Sequence, residues 1–171
     1  LSCVRYHNII NILKAFKLFK KDNNNTRLVF VLQILDKKYF SEIKKYVDNN
    51  FFHGEIIFLN GLDNKYLVNL YKNANLFVFS SYCEVFGLTS LEAMSQNCPV
   101  AISNTTALPE INGNAAHYFD PDNIKDIKES LRILIVNKEY TKTLILKGNN
   151  HFKKFNWEKT VLETCHVLEL N

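Results

Sequence analysis

Short apolar runs alternate with amphipathic stretches along the whole chain. Residues 1–4 read as a strand. Ile9, Ile12, Leu13, Phe16 and Phe19 then recur at three-to-four spacing, which predicts a helix, with Lys14, Lys17, Lys20 and Lys21 on its other faces. Asp22 to Thr26 breaks it. The run Leu28-Val-Phe-Val-Leu32 has the continuous β-type pattern of a strand buried on both sides. A second helix is predicted over residues 38–49, with Phe40, Ile43 and Val47 on one face. A strand follows over 55–59, ended by the turn signal Asn60-Gly61. Next come a helix over 63–73, with Leu67, Leu70 and Tyr71 inward, and a strand over 76–79. The loop 80–87 leads into a helix over 88–97, which Asn97 can close in a left-handed conformation. Pro99–Ile102 and Ala115–Phe119 read as two more strands. Three helices complete the chain, marked by Ile124, Ile127, Leu131 and Leu134, by Tyr140, Leu144 and Phe152, and by Val161, Leu162, Cys165 and Leu168.

Five or six strand–helix alternations, with connections too long for hairpins, predict an α/β fold: a parallel sheet with helices on both faces. Ligands of such folds sit at the carboxyl ends of the strands. The loops to inspect are therefore 5–8, 33–37, 60–63, 80–87 and 103–114. No internal repeat or linker divides the 171 residues, so one domain, 1–171, is expected. The chain opens Leu-Ser-Cys-Val, like the middle of a strand, and is expected to be a piece of a longer two-domain protein.

Composition narrows the function classes. At 47% hydrophobic and 22% charged residues the chain is neither disordered nor fibrous. Cys3, Cys83, Cys98 and Cys165 are scattered, with no C-x-x-C pair, which removes zinc-ribbon and thioredoxin readings. Four such thiols fit a reducing cytosol and are expected to be buried small side chains. No run of about 18 apolar residues could span a bilayer. The net charge of +4 suits an anionic small ligand or a membrane-proximal surface. Nucleic acid is not expected, because aromatic-interleaved arginine patches are absent. The lysine-rich, phenylalanine-containing helix at 8–21 could touch anionic lipid or simply pack on the sheet. His53, His117, His151 and His166 are separate and read as structural or solvated, so no metal cluster is expected.

The densest loop is Ser80-Ser-Tyr-Cys-Glu84-Val-Phe-Gly-Leu88, running into Thr89-Ser-Leu-Glu92-Ala-Met94. One carboxylate lies at a strand's carboxyl end and the other in the first turns of the next helix. A helix start offers unpaired N–H groups and positive dipole to a phosphate, and Gly87 lets a ligand approach the backbone. Thr89-x-x-Glu92 also matches a capping box, in which Glu92 merely satisfies the helix start.

Glu84 and Glu92 form an E-x7-E pair within Glu84-Val-Phe-Gly-Leu-Thr-Ser-Leu-Glu92-Ala-Met-Ser-Gln-Asn-Cys-Pro-Val100. The segment resembles the signature of retaining GT-B glycosyltransferases of the group 1 family. Phe58-Leu-Asn-Gly-Leu-Asp63, Ala107-Leu-Pro-Glu-Ile111, Ala115–Pro121 and Phe155-Asn-Trp157 resemble other stretches of that family in the same order, across nearly the whole chain. The resemblance implies a Rossmann-like parallel sheet of about six strands with helices on both faces, one half of a GT-B enzyme. It implies the carboxyl-terminal half, which binds a nucleotide-diphospho-sugar and transfers the sugar with retention, without a divalent metal or other cofactor, to an acceptor held by an amino-terminal domain.

The family's roles carry over residue by residue. Glu84 matches the acid that contacts the donor sugar and is important for catalysis. Glu92 matches the acid on the ribose. Phe86, Gly87, Leu88 and Thr89 match the loop on sugar and diphosphate. Leu59, Asn60 and Leu62 fall in the segment lining the base. An Arg and a Lys hold the family's diphosphate; here His7 replaces the Lys, and Arg5 is near enough to supply charge. Val85 stands where the family has Gly, which stiffens the loop and narrows the room beside the sugar. The expected setting is cytoplasmic polysaccharide, lipopolysaccharide or glycolipid synthesis at the inner face of a membrane. The last helix, 157–170, is expected to pack toward the amino-terminal domain, so the piece alone should bind donor weakly and transfer little. Two competing readings are a non-catalytic nucleotide-sugar-binding module and a glycoside hydrolase with Glu84 and Glu92 as its acid/base pair.

Overall fold

The computed structural model describes residues 2–23, 25–51 and 53–169. The order of elements is α1 (Ile9–Lys20), β1 (Leu28–Val31), α2 (Lys37–Asn50), β2 (Ile56–Leu59), α3 (Asn64–Asn73), β3 (Phe77–Phe79), α4 (Leu88–Ser95), β4 (Val100–Ser103), α5 (Leu108–Asn112), β5 (His117–Phe119), α6 (Ile124–Val136), α7 (Lys138–His151) and α8 (Trp157–Val167). All strand pairs are parallel: β1 with β2, and β3, β4 and β5 in that order. The α/β architecture is the one the alternation predicts.

The sheet has five described strands rather than about six, and it is divided. The segment expected as a first strand makes one parallel bridge, Ser2 to Gln33, before a tight turn at Arg5–His7 ends it; Leu1 lies outside the described residues. This segment joins the two sheets. On one side Cys3 N donates to Gln33 O at 2.7 Å, and Asp36 N donates to Cys3 O. On the other, Tyr82 N donates to Tyr6 O at 2.8 Å and Ser80 Oγ to Asn8 O at 3.1 Å.

β4 is buried throughout, and its side chains alternate between two cores as a strand's geometry demands. Val100 and Ile102 pack with Leu91 and Met94 of α4 and with Phe79. Ala101 faces the opposite core, with Ala15 of α1 and Ile127 and Leu134 of α6. Helices therefore cover both faces. Phe16 and Phe19 of α1 are buried with Leu131 of α6, which leaves neither phenylalanine of that helix free for a lipid surface. Among the described residues no helix is long and apolar enough to cross a membrane.

Local chemistry sets the helix ends. Asp36, Asn123, Asn137 and Asn156 accept from first-turn amides of α2, α6, α7 and α8. Asn97, at φ 61°, takes the left-handed conformation just beyond α4. Cys3 and Cys98 are buried as expected, and burial pushes the Cys98 thiol up to about 12. Cys83 is exposed and Cys165 half-buried, so burial explains only two of the four. α8 buries no residue, and its predicted last position, Leu170, lies outside the described residues.

Candidate functional site

The candidate site is built where four loops meet at the carboxyl ends of the strands. Ser81, after β3, is fully buried, and its carbonyl accepts from Ser103 Oγ at the end of β4 and from Thr105 Oγ1 just after it. Asn8 Nδ2 donates to Pro121 O, after β5, at 2.8 Å. Tyr82 Oη donates to Asp122 Oδ1 at 2.7 Å. Small hydroxyls and amides thus fasten the 80–87 loop to its neighbours. Their sequence signal is the cluster of Ser and Thr directly after two predicted strands, which motif reading passed over.

Gly87 caps α4 in the left-handed region, at φ 84°. A Cβ there would sit 2.5 Å from Leu108 Cδ2 of α5, so two independent constraints require glycine. Ser90 N and Oγ both reach the Gly87 carbonyl, at 3.1 and 2.7 Å. No side chain caps α4. The capping box does not form, because the helix begins at Leu88. Thr89 therefore lies at the second helical position, where it cannot act as N-cap. The helix start is left without a side-chain cap, and no acidic residue occupies its first turn.

Glu92 points instead to α3, where the Tyr71 hydroxyl donates to its Oε2 at 3.4 Å. Burial, and then the Glu92 carboxylate, raise the Tyr71 hydroxyl above the usual tyrosine range, so it stays a donor. Glu84 is held twice. Its N–H donates to Thr106 Oγ1 at 3.0 Å, and its Oε1 lies 3.2 Å from His7 Nε2. Thr106 itself sits at φ 48°, rare for a β-branched residue. The His7 side chain is 7% exposed and that of Glu84 19%. Nδ1 of His7 faces the Ser2 carbonyl. The ring packs edge-on to Tyr6 at 4.4 Å and against Phe79 at 5.7 Å.

The structure thus brings together Glu84, His7, Gly87 and the start of α4, with Glu92 further along the same helix. Leu88 is exposed, and Phe86 rests edge-on against Phe155 at 5.7 Å. Val85 is 92% exposed and lies outside the positive-φ residues. Its side chain stands in solvent rather than packed in the loop, and no strain attends it. Arg5 is turned away: Nη2 pairs with Glu42 Oε1 of α2 at 2.7 Å, and the guanidinium lies over the Tyr39 ring. Leu59, Asn60 and Leu62 lie at the carboxyl end of β2, separated from the β3 loop by β1 and the amino-terminal segment. Two cavities of about 420 and 550 Å³ lie elsewhere, around Thr26, Arg27 and His53 and between α2 and β2. The candidate site is an open face rather than either of these.

Comparison with known proteins gives a consistent picture. The sequence model of the family described as "Glycosyl transferases group 1" matches residues 2–151. The O-antigen chain mannosyltransferase B of Escherichia coli is 29% identical over 165 residues, 95% of this chain. The chain spans 42% of that relative's length. Among solved structures, the C-terminal domain of the group 1 family protein LpcC from Francisella tularensis superposes with a TM-score of 0.79 at 21% identity, over 90% of this chain and 81% of that one. Sucrose-phosphate synthase from Thermosynechococcus elongatus gives a TM-score of 0.82 at 21% identity, over 98% of this chain and 43% of the other. At that identity the two structures speak for the fold.

Proposed function

Since the chain belongs to the group 1 glycosyl transferases, we propose that it forms the donor-binding half of a retaining glycosyltransferase that acts in surface-polysaccharide synthesis. The observation that carries this reading is the uncapped start of α4, entered through Gly87, with Glu84 fastened beside it and Glu92 on its flank. The sugar class supported best is mannose, as in the name of the E. coli relative.

Breaking a sugar–phosphate bond builds positive charge on the sugar and negative charge on the departing diphosphate. The amide donors and dipole of α4 stabilise that diphosphate at fixed positions, without reorganisation. The reading assigns it to the loop Phe86–Thr89, with no divalent metal needed. Arg5 reaches it only by leaving Glu42. Glu84 orients the sugar's hydroxyls so that binding energy places the anomeric carbon. Glu92, steadied by Tyr71, accepts from the ribose hydroxyls. The base lies toward Leu59, Asn60 and Leu62 at the end of β2. With retention, the acceptor enters on the face the diphosphate leaves. An amino-terminal half supplies the acceptor site, and α8 packs against it. Trp157 at 83% and Leu162 at 70% exposure support that placement, as does the chain's share of its relative's length.

A thermal-shift panel of GDP- and UDP-sugars on the chain tests the reading. One nucleotide-sugar should raise the melting temperature, and Glu92→Ala should abolish the shift. A flat panel, or a mutant that responds like the wild type, removes the site.

A further inference from the structure

His7 stands between two groups that only accept. The Ser2 carbonyl faces Nδ1, and a Glu84 carboxylate oxygen lies 3.2 Å from Nε2. A neutral imidazole carries one N–H and can satisfy one of them. Both contacts hold together only when a second proton is present, either on Nε2 or on Glu84. The remaining groups against the ring are the aromatic faces of Tyr6 and Phe79. Arg5, in the same turn, is spent on Glu42, and among the described contacts Glu84 is the one charged group facing the ring. A charge with 7% of its side chain exposed is costly unless it is paired. The carboxylate is that partner, and the Ser2 carbonyl fixes which nitrogen faces it.

We propose that His7 is the positioning residue of Glu84: an imidazolium clamped between the Ser2 carbonyl and the Glu84 carboxylate, which holds the acid oriented toward the donor sugar and makes donor binding depend on the proton at Nε2. The ring serves the acid instead of reaching the diphosphate itself, because both of its nitrogens are engaged within the protein. The last clause of the proposal rests on the donor-site reading above; the charged pair does not.

Sign follows from the chemistry. As pH rises and the ring gives up the Nε2 proton, that nitrogen presents a lone pair to the carboxylate and the two repel. Glu84 then swings from its place, and donor binding weakens. Two measurements separate the parts. The first is the ¹⁵N chemical shift of the His7 ring in the chain without ligand, at pH 7. Two protonated nitrogens are expected in the wild type, and a neutral ring protonated at Nδ1 in Glu84→Gln. A neutral ring in both proteins overturns the pair. The second is titration calorimetry with the nucleotide-sugar found in the panel, between pH 5.5 and 8.5. Wild-type affinity should fall as pH rises. His7→Gln should bind about tenfold more weakly at the acid end, the scale of a lost charge-assisted hydrogen bond, with no slope. His7→Lys should bind well and also without slope, since its charge persists across the range. Equal slopes in wild type and both variants overturn the proton linkage. If no nucleotide-sugar binds at all, the donor reading and the linkage fall together, while the ring shifts still decide the pair.

Discussion

The Tyr71 hydroxyl donates to Glu92 across 3.4 Å, tying α3 to α4 at the acid assigned to the ribose. The ring is anchored independently, edge-on to Phe77 at 5.6 Å. Tyr71→Phe therefore keeps the packing and removes only the tether. A long hydrogen bond to an exposed acid is worth little, so stability should change by less than about 1 kcal/mol. Affinity for a nucleotide-sugar should fall several-fold, whereas a sugar phosphate without ribose should be unaffected. Calorimetry on both ligands checks this; parallel losses would mean that Glu92 does not read the ribose.

Gly87 faces a different constraint. In Gly87→Ala the new methyl would meet Leu108, which is fully buried, while the backbone stays at φ 84°. The left-handed conformation and the overpacking together should cost about 2–4 kcal/mol, read from urea denaturation. Adding Leu108→Ala should recover part of that loss, since the cavity it opens admits the methyl; the pair should be non-additive. Strict additivity would show that the backbone term alone is at work.

Thr106 holds the Glu84 amide from the neighbouring loop. Thr106→Val keeps the shape and deletes the acceptor, so donor affinity should fall by about 1 kcal/mol. Thr106→Ser should restore it. If serine fails where threonine works, the methyl and not the hydroxyl carries the effect.

His117 should make stability depend on pH. Burial lowers its pKa from 6.5, against a smaller opposing pull from Asp126. The unfolded chain thus takes up the proton first, and the folded state loses stability as pH falls below 6.5, until the folded ring titrates in turn. Urea midpoints at pH 7.5, 6.5 and 5.5 should decline less steeply in His117→Gln than in the wild type. An unchanged slope would place the acid sensitivity elsewhere.

Much of this architecture is legible in the residues. Predicted α1, α2, α3 and α6 stand within about two residues of their observed ends, because each carries a long apolar stripe or a clear cap. β4 is as legible, since four buried positions in a row suit a strand with two covered faces. The first segment is legible in part: Leu-Ser-Cys-Val has strand composition, and among the described residues it makes one parallel bridge before the turn at Arg5–His7. α5 was invisible, since five residues around a proline show no periodicity. At the site, motif spacing located Glu84, Gly87 and Glu92 on one strand–loop–helix unit. It could not locate what braces them. His7 lies far from Glu84 in sequence, Tyr71 far from Glu92, and Thr106 on another loop. Such contacts exist only once the sheet is assembled. The partners of Arg5 are hidden for the same reason, because Glu42 and Tyr39 arrive from α2 to hold the guanidinium.

The stitch from Ser2 to Asn8 serves two masters. Its peptide groups hold together the two halves of the sheet, and its one imidazole braces the acid of the neighbouring loop. Lengthening a connection is cheap in most places on a protein surface; in these seven residues it would part the scaffold and unseat the carboxylate at one stroke.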